Sequence, residues 1–153
     1  MSVVNPENIE QNSKYLELDI TALNMSGIFF DEYVLLDNRN KKNVNEIIKD
    51  SSLIILCGGD TYLQNQFFNE INLKKYIAKV NATIVGISAG AINAADTVYN
   101  SPECEKDSLK PEILVGLNLT KINVEPHFDI NNSNNIKMNL YLNNHIKELF
   151  MVC

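Results

Sequence analysis

Two short stretches of the sequence decide the fold: residues 52–60 read SLIILCGGD, and residues 82–90 read ATIVGISAG. Each is a continuous apolar run that stops abruptly at a glycine-containing turn. An apolar run without alternation predicts a strand covered on both faces, as in a parallel sheet. Because a helical pattern follows each turn, the sequence predicts an α/β fold with a mostly parallel sheet flanked by helices.

A helix is predicted ahead of the first stretch. It begins at Asn5, where Pro6 suits the first helical position, and ends at Gly27. Residues 32–37, EYVLLD, are rich in β-forming residues and predict a short strand. In the helix predicted from Asn5 to Gly27, Leu16, Ile20 and Leu23 recur at helical spacing and form its apolar face.

The alternation of strands and helices continues to the end of the chain. Asp60 is predicted to cap a helix after the first turn, and a second helix is predicted over 89–98. Residues 117–124 and 149–153 predict two more strands, with a helix over 133–148 between them. A chain of 153 residues fits one domain spanning 1–153.

The composition excludes several classes of function. Thirteen Lys and Arg against nineteen Asp and Glu give a net charge of −6, so no basic surface for nucleic acid is expected. No apolar run reaches the length of a membrane span. We therefore expect neither nucleic acid nor a membrane as a partner.

The cysteines and histidines show no metal-ligand spacing, and no metal or other cofactor is expected. The three cysteines, an odd number, argue against a disulfide framework and favour a cytoplasmic location. They are Cys57, Cys104 and Cys153.

The second turn contains a pattern typical of nucleophilic catalysis. Residues 86–90 read GISAG, the G-x-S-x-G pattern, between a predicted strand and a predicted helix. In that context the turn exposes a serine hydroxyl, here Ser88, and the N–H of Ala89 faces the developing oxyanion. The first turn can supply a second oxyanion donor from Gly59. A glycine turn that only ends a strand is the structural alternative at both places.

One histidine is positioned to act as the base. His127 lies in residues 125–128, EPHF, directly after the predicted strand 117–124. Because ligands gather at the carboxyl ends of parallel strands, His127 can share a site with Ser88 and take its proton. A lone histidine is more often a surface or capping residue. His145, in the polar part of a predicted helix, is expected to be solvent-exposed.

The three motifs CGGDT at 57–61, GISAGA at 86–91 and EPHF at 125–128 together resemble the peptidase E (aspartyl dipeptidase) and cyanophycinase family of serine peptidases. The resemblance covers nearly the whole chain. It implies a class I glutamine amidotransferase-like (flavodoxin-like) sandwich and small peptides as substrates. It also implies Ser88 as nucleophile and His127 as base, and places the oxyanion donors on the N–H groups of Gly59 and Ala89. Beside them we expect substrate contacts from Gly58, Asp60 and Thr61.

The chain departs from the family pattern at both ends. The first strand of the family is absent before Met1, which leaves an edge of the sheet unpaired and favours a homo-oligomer. The glutamate that completes the family triad would fall beyond Cys153. Glu125 and Asp129 are too close to His127 in sequence to replace it, so we expect weakened catalysis, since losing a triad acid costs roughly 10⁴ in rate.

The third departure concerns specificity. Arg39 is the only arginine of the chain, and Asp60 stands where aspartyl dipeptidases carry asparagine. An N-terminal aspartate on the substrate needs a cationic partner, and no arginine follows Arg39 in the sequence. We expect Asp60 to hold a free α-amino group or to tolerate neutral residues, giving a general dipeptidase.

Two alternatives accompany the peptidase hypothesis. The first is a non-catalytic relative or fragment that serves in binding or assembly. The second is an esterase of α/β-hydrolase type with Asp96 or Asp107 as the acid between serine and histidine. The EPHF motif directly after a predicted strand and the CGGDT turn favour the peptidase over the esterase.

Overall fold

The computed structural model describes residues 8–100, 112–126, 131 and 149–152 of the chain. As far as Asn100, helical segments and short strands alternate as the sequence predicts. In chain order the elements are α1 (Ile9–Met25), a 3₁₀ turn (Lys41–Asn43), α2 (Val44–Lys49), β1 (Leu53–Leu56), α3 (Thr61–Glu70), α4 (Leu73–Ile77), β2 (Thr83–Gly86), α5 (Ala89–Ala94), β3 (Thr97–Asn100), β4 (Glu112–Val115), β5 (Asn123–Pro126) and β6 (Leu149–Val152).

The strands pair mainly in parallel. β1 and β2 form a parallel pair that runs from Leu53 opposite Thr83 to Leu56 opposite Gly86. β5 and β6 also pair in parallel, whereas β3 and β4 are antiparallel. The predicted mixed α/β fold with parallel strands and flanking helices is confirmed. That residues 1–153 form one domain stays a prediction.

The hydrophobic core lies where α2, α3 and α4 pack around β1. Ile54 and Leu56 of β1 are almost completely buried, as is Phe67 of α3. Burying large apolar side chains of this kind contributes about 1.5–3 kcal/mol each. The other core members are Leu36, Val44, Ile48, Phe68, Ile71, Leu73, Ile77 and Leu117.

The first helix forms with a shifted start. It begins at Ile9, and the side chain of Asn8 caps it by accepting a hydrogen bond from the N–H of Gln11 at 3.2 Å. The predicted cap Asn5 lies outside the described residues. Gly27 follows the helix with φ +77°, a left-handed conformation that glycine adopts without strain, so the predicted stop is confirmed.

Residues 32–37 do not form the predicted strand. They run without ladder partners, although Leu35 and Leu36 are buried. Side-chain hydrogen bonds replace a ladder here: Asn40 donates to the carbonyl of Leu35 at 2.7 Å and accepts from the N–H of Asp37 at 3.1 Å. β-forming composition is therefore not sufficient where no neighbouring strand supplies the pairing.

Three other sequence predictions need correction. The helix predicted over 89–98 ends at Ala94, because the β-forming residues of β3 pair with β4 instead. The strand predicted over 117–124 is displaced, with strands at β4 and β5 on either side of a loop. β2 is largely exposed rather than buried, since within the described residues it pairs only with β1. The helix predicted over 133–148 lies outside the described residues.

A groove of about 610 Å³ separates α1 from β1. Apolar residues of α1 form one wall, residues 29–34 form another, and Leu53–Ile55 of β1 lie at its base. Within the described part of the chain β1 pairs only with β2, so its side toward the groove carries no ladder. None of the helices in the described ranges is long and apolar enough to cross a membrane.

The start of α5 packs directly against the end of β1. A Cβ built on Gly90 would overlap the carbonyl of Leu56, so only glycine fits at this position. The N–H of Ile87 donates to the same carbonyl at 2.8 Å. The start of α5 is thereby held against the carboxyl end of β1.

Replacing Gly90 by alanine should therefore destabilise the protein strongly. The added methyl group must displace backbone rather than a flexible side chain, and we expect the free energy of unfolding to fall by about 3 kcal/mol. Urea unfolding followed by circular dichroism measures it. Gly27→Ala is the control: its Cβ meets open space, and only the positive φ costs about 1 kcal/mol. Equal losses in the two variants would contradict the close contact.

Candidate active site

Ser88 occupies a strained turn between β2 and α5. Its φ of 51° and ψ of −121° lie outside the regions that a serine ordinarily adopts, as expected of a nucleophile elbow. The residue is exposed, and its hydroxyl makes no capping hydrogen bond to α5. Its carbonyl instead accepts from the N–H of Ala91 at 2.8 Å and of Ile92 at 3.1 Å. The backbone thus begins the helix while the hydroxyl stays accessible.

The glycine turn after β1 lies directly against Ser88. A Cβ built on Gly58 would be 3.2 Å from the Cβ of Ser88 and 3.7 Å from its Oγ. Gly59 has φ +138°, which an L side chain rarely adopts. The two turns that the sequence singled out are therefore neighbours at the carboxyl ends of β1 and β2, where ligands of parallel sheets gather.

Two backbone N–H groups flank the serine. Among the described residues, no hydrogen bond uses the N–H of Gly59 or of Ala89. At Ala89 this is the ordinary condition of the first helical residue, whose N–H has no partner inside the helix. The amides of Gly90, Ala91 and Ile92 are all engaged. The geometry leaves one donor on each turn for an oxyanion, and these roles remain predictions.

Asp60 and Thr61 have structural contacts of their own. The Asp60 carboxylate caps α3 by accepting from the N–H of Leu63 at 2.7 Å, as predicted. Thr61 is buried, and its carbonyl accepts from the side chain of Asn93 at 3.1 Å. The proposed substrate contacts of Gly58, Asp60 and Thr61 stay predictions.

His127 lies outside the described residues. The strand that precedes it, β5, ends at Pro126 and packs against α5, the helix that begins after Ser88. His145 and Asp107 also fall outside them. Asp96, one acid of the esterase alternative, follows α5 at its far end, about 9 Å of helix from Ser88. There it pairs with Lys74 at 3.5 Å and Lys121 at 3.7 Å.

Sequence reasoning missed a group of buried amide side chains behind the two turns. Gln64 and Asn65 of α3 and Asn93 of α5 are almost completely buried and hydrogen bond to one another. The available signal was the presence of three amides in helices that also carry core residues. No group of three or more His, Cys, Asp or Glu side chains in the described ranges could hold a metal ion.

Comparison with known proteins identifies the family. The model of peptidase family S51 matches residues 6–152. No curated protein matches the chain.

Two solved structures share the fold. A protein assigned to peptidase E from Listeria monocytogenes EGD-e aligns with a TM-score of 0.62 and 19% identity, over 90% of this chain and 69% of the other. A peptidase from an acI-B1 Actinobacterium aligns with a TM-score of 0.59 and 21% identity, over 80% of this chain and 50% of the other. The chain thus spans about half the length of the second structure.

The family match extends over almost the whole sequence, and the architecture agrees with that of the peptidase E structure. The chain belongs to peptidase family S51, a family of peptide-bond hydrolases.

Proposed function

We propose that this protein is a serine-type exopeptidase or dipeptidase that hydrolyses small peptides in the cytoplasm, with Ser88 as nucleophile and His127 as base. The observation that carries the proposal is the exposed, strained Ser88 next to the Gly58–Gly59 turn. A serine that only ended a strand would have no reason to adopt a positive φ. The cytoplasmic assignment follows from the cysteine usage; Cys57 is a buried thiol 3.7 Å from a carboxylate oxygen of Asp19.

The proposed reaction has two halves. Ser88 Oγ attacks the carbonyl carbon of the scissile peptide while His127 takes the hydroxyl proton, and the N–H groups of Gly59 and Ala89 stabilise the tetrahedral oxyanion. Collapse breaks the carbon–nitrogen bond, and the leaving amine takes the proton from His127. Water then attacks the acyl-enzyme with His127 as base, releasing the carboxylic acid and restoring Ser88.

A fluorophosphonate probe tests the nucleophile directly. We expect it to label the wild-type protein, to leave Ser88→Ala unlabelled, and to label His127→Gln at a rate lower by about 10²-fold or more, because general base catalysis contributes that much. Ser52→Ala, which removes an exposed serine at the other end of β1, is the matched control and should be labelled normally. Mass spectrometry locates the label.

The same experiment decides between the peptidase and its alternative. If the wild-type protein reacts no faster than Ser88→Ala, the chain is a non-catalytic relative that acts in binding or assembly. Label that persists in Ser88→Ala would assign the reactivity to another residue.

We propose that the substrates are dipeptides with a neutral N-terminal residue. Asp60 adds a negative charge beside the glycine turn, with one of its carboxylate oxygens accepting from Leu63. The only arginine, Arg39, is bound through two of its nitrogens to the buried carboxylate of Asp37 at 2.7–3.0 Å, and this hydrogen bonding raises the pKa of Arg39. It is therefore already neutralised within its own turn.

Turnover of Ala-Leu should exceed that of Asp-Leu by about tenfold in kcat/KM, since two like charges near a protein surface repel by at least about 1 kcal/mol. Asp60→Asn should shrink this ratio while keeping the helix cap, because asparagine caps as well as aspartate. Chromatographic detection of released leucine measures both rates. A clear preference of the wild-type protein for Asp-Leu would overturn the proposal.

We further propose that the chain self-associates through the surface around α1. Apolar side chains are exposed there beside the open groove, and large apolar patches mark association sites. Four of them lie on α1 and the turn that follows it: Leu18, Met25, Ile28 and Phe29.

Light scattering during gel filtration should give a dimer or larger species for the wild-type protein. Phe29→Asp, which charges a side chain that is 72% exposed, should shift the equilibrium toward monomer by about tenfold or more in the dissociation constant. Val115→Asp, at a side chain that is 64% exposed outside this surface, should leave it unchanged. A wild-type monomer at high concentration contradicts the proposal.

A further inference from the structure

Three buried amides connect the two turns of the candidate active site. Gln64 and Asn93 have no exposed surface and Asn65 has 4%. A buried amide that lacks hydrogen bonds costs about 1–3 kcal/mol, so such groups persist where their partners are fixed. Asn93 bonds to both Gln64 and Asn65, and the three side chains also donate to the backbone carbonyls of Cys57 after β1, Thr61 of α3 and Val115 of β4. They form a polar connection inside an otherwise apolar interface between α3 and α5.

The connection ends on the glycine turn. Gln64 Nε2 donates to the carbonyl of Cys57 at 2.8 Å. That carbonyl and the N–H of Gly58 belong to one planar peptide unit, so the hydrogen bond fixes the orientation of the peptide next to the one that carries the N–H of Gly59. Two consecutive glycines give the turn little stiffness of its own. Its orientation therefore depends on an external partner.

The other end of the connection lies on α5, the helix that follows Ser88. Asn93 Nδ2 donates to Gln64 Oε1 at 3.0 Å, and Asn93 Oδ1 accepts from Asn65 Nδ2 at 2.9 Å. The backbone of Asn93 is held in turn, since its carbonyl accepts from the N–H of Leu117 at 2.9 Å. Gln64 thus joins the peptide before Gly58 to α5, whose first residue, Ala89, carries the second N–H.

We propose that Gln64, held by Asn93, is a positioning residue that sets the distance between the two oxyanion-binding N–H groups of Gly59 and Ala89. In this role Gln64 acts through its hydrogen bond to the Cys57 carbonyl. This role rests on the proposed peptidase function. It predicts that loss of the Gln64 donor weakens transition-state binding and leaves substrate binding intact, because the oxyanion exists only in the transition state.

Gln64→Met removes both hydrogen-bonding groups at similar size, and Gln66→Met makes the same change on the exposed face of the same helix. We expect kcat for Ala-Leu to fall by about 10–100-fold in Gln64→Met with KM within about twofold, since small displacements in an active site have effects of this size. The affinity for a dipeptide boronate, which mimics the tetrahedral intermediate, should fall by the same factor as kcat. Gln66→Met should match the wild-type protein in all three quantities.

A second measurement does not depend on catalysis. Backbone ¹⁵N order parameters of Gly58 and Gly59 should fall in Gln64→Met and stay unchanged in Gln66→Met. If Gln64→Met does not fold, Gln64→Asn and Gln66→Asn take their places, because asparagine keeps a neutral amide in the buried position and is one methylene too short to bring its donor to the Cys57 carbonyl.

The outcomes separate this inference from the proposed function. A wild-type protein that neither turns over peptides nor reacts at Ser88 defeats the proposed function, while the order parameters still decide whether Gln64 holds the turn. In an active enzyme, unchanged kcat and boronate affinity in Gln64→Met overturn the positioning role. A rise in KM without a fall in kcat would also overturn it. So would equal order parameters of Gly58 and Gly59 in the two variants.

Discussion

The site depends on the approach of α5 to the carboxyl end of β1. Gly90 lies so close to the Leu56 carbonyl that no side chain fits, and Ile87 bonds to the same oxygen. Because both strands end at this contact, the turn after each is brought beside the other, and Gly58 meets Ser88. A single missing Cβ therefore determines whether a hydroxyl and two backbone N–H groups can share one location. The core around β1 holds the strand against which this contact is made.

The sequence predicted those features of the fold that have local causes. The continuous apolar runs predicted β1 and β2. Asp60 predicted the start of α3, and Gly27 predicted the end of α1. The predictions failed where contacts with distant parts of the chain determine the local structure. Residues 32–37 have the composition of a strand but do not pair with another strand. β2 has the composition of a buried strand but is largely exposed. Periodicity cannot say how many neighbours a strand has.

The same division applies to the site. The two glycine turns could be predicted because each follows its strand directly, and parallel strands bring their carboxyl ends together. The buried amides could not be predicted, because a glutamine in a helix usually lies on the surface, as Gln66 does two residues later. Only the packing of α3 against α5 reveals that Gln64 and Asn93 face each other. Membership of family S51 makes the chain a peptidase by family, and the strained serine turn is the place proposed for the reaction.

The conformation of Ser88 has a consequence for how the protein tolerates change. Its positive φ costs roughly 1–3 kcal/mol, and its hydroxyl contributes nothing as a helix cap. A glycine at this position would relax the backbone, so the folded state would gain stability while it loses the hydroxyl proposed as the nucleophile. Folding stability and the proposed reactivity therefore make opposite demands on this one residue.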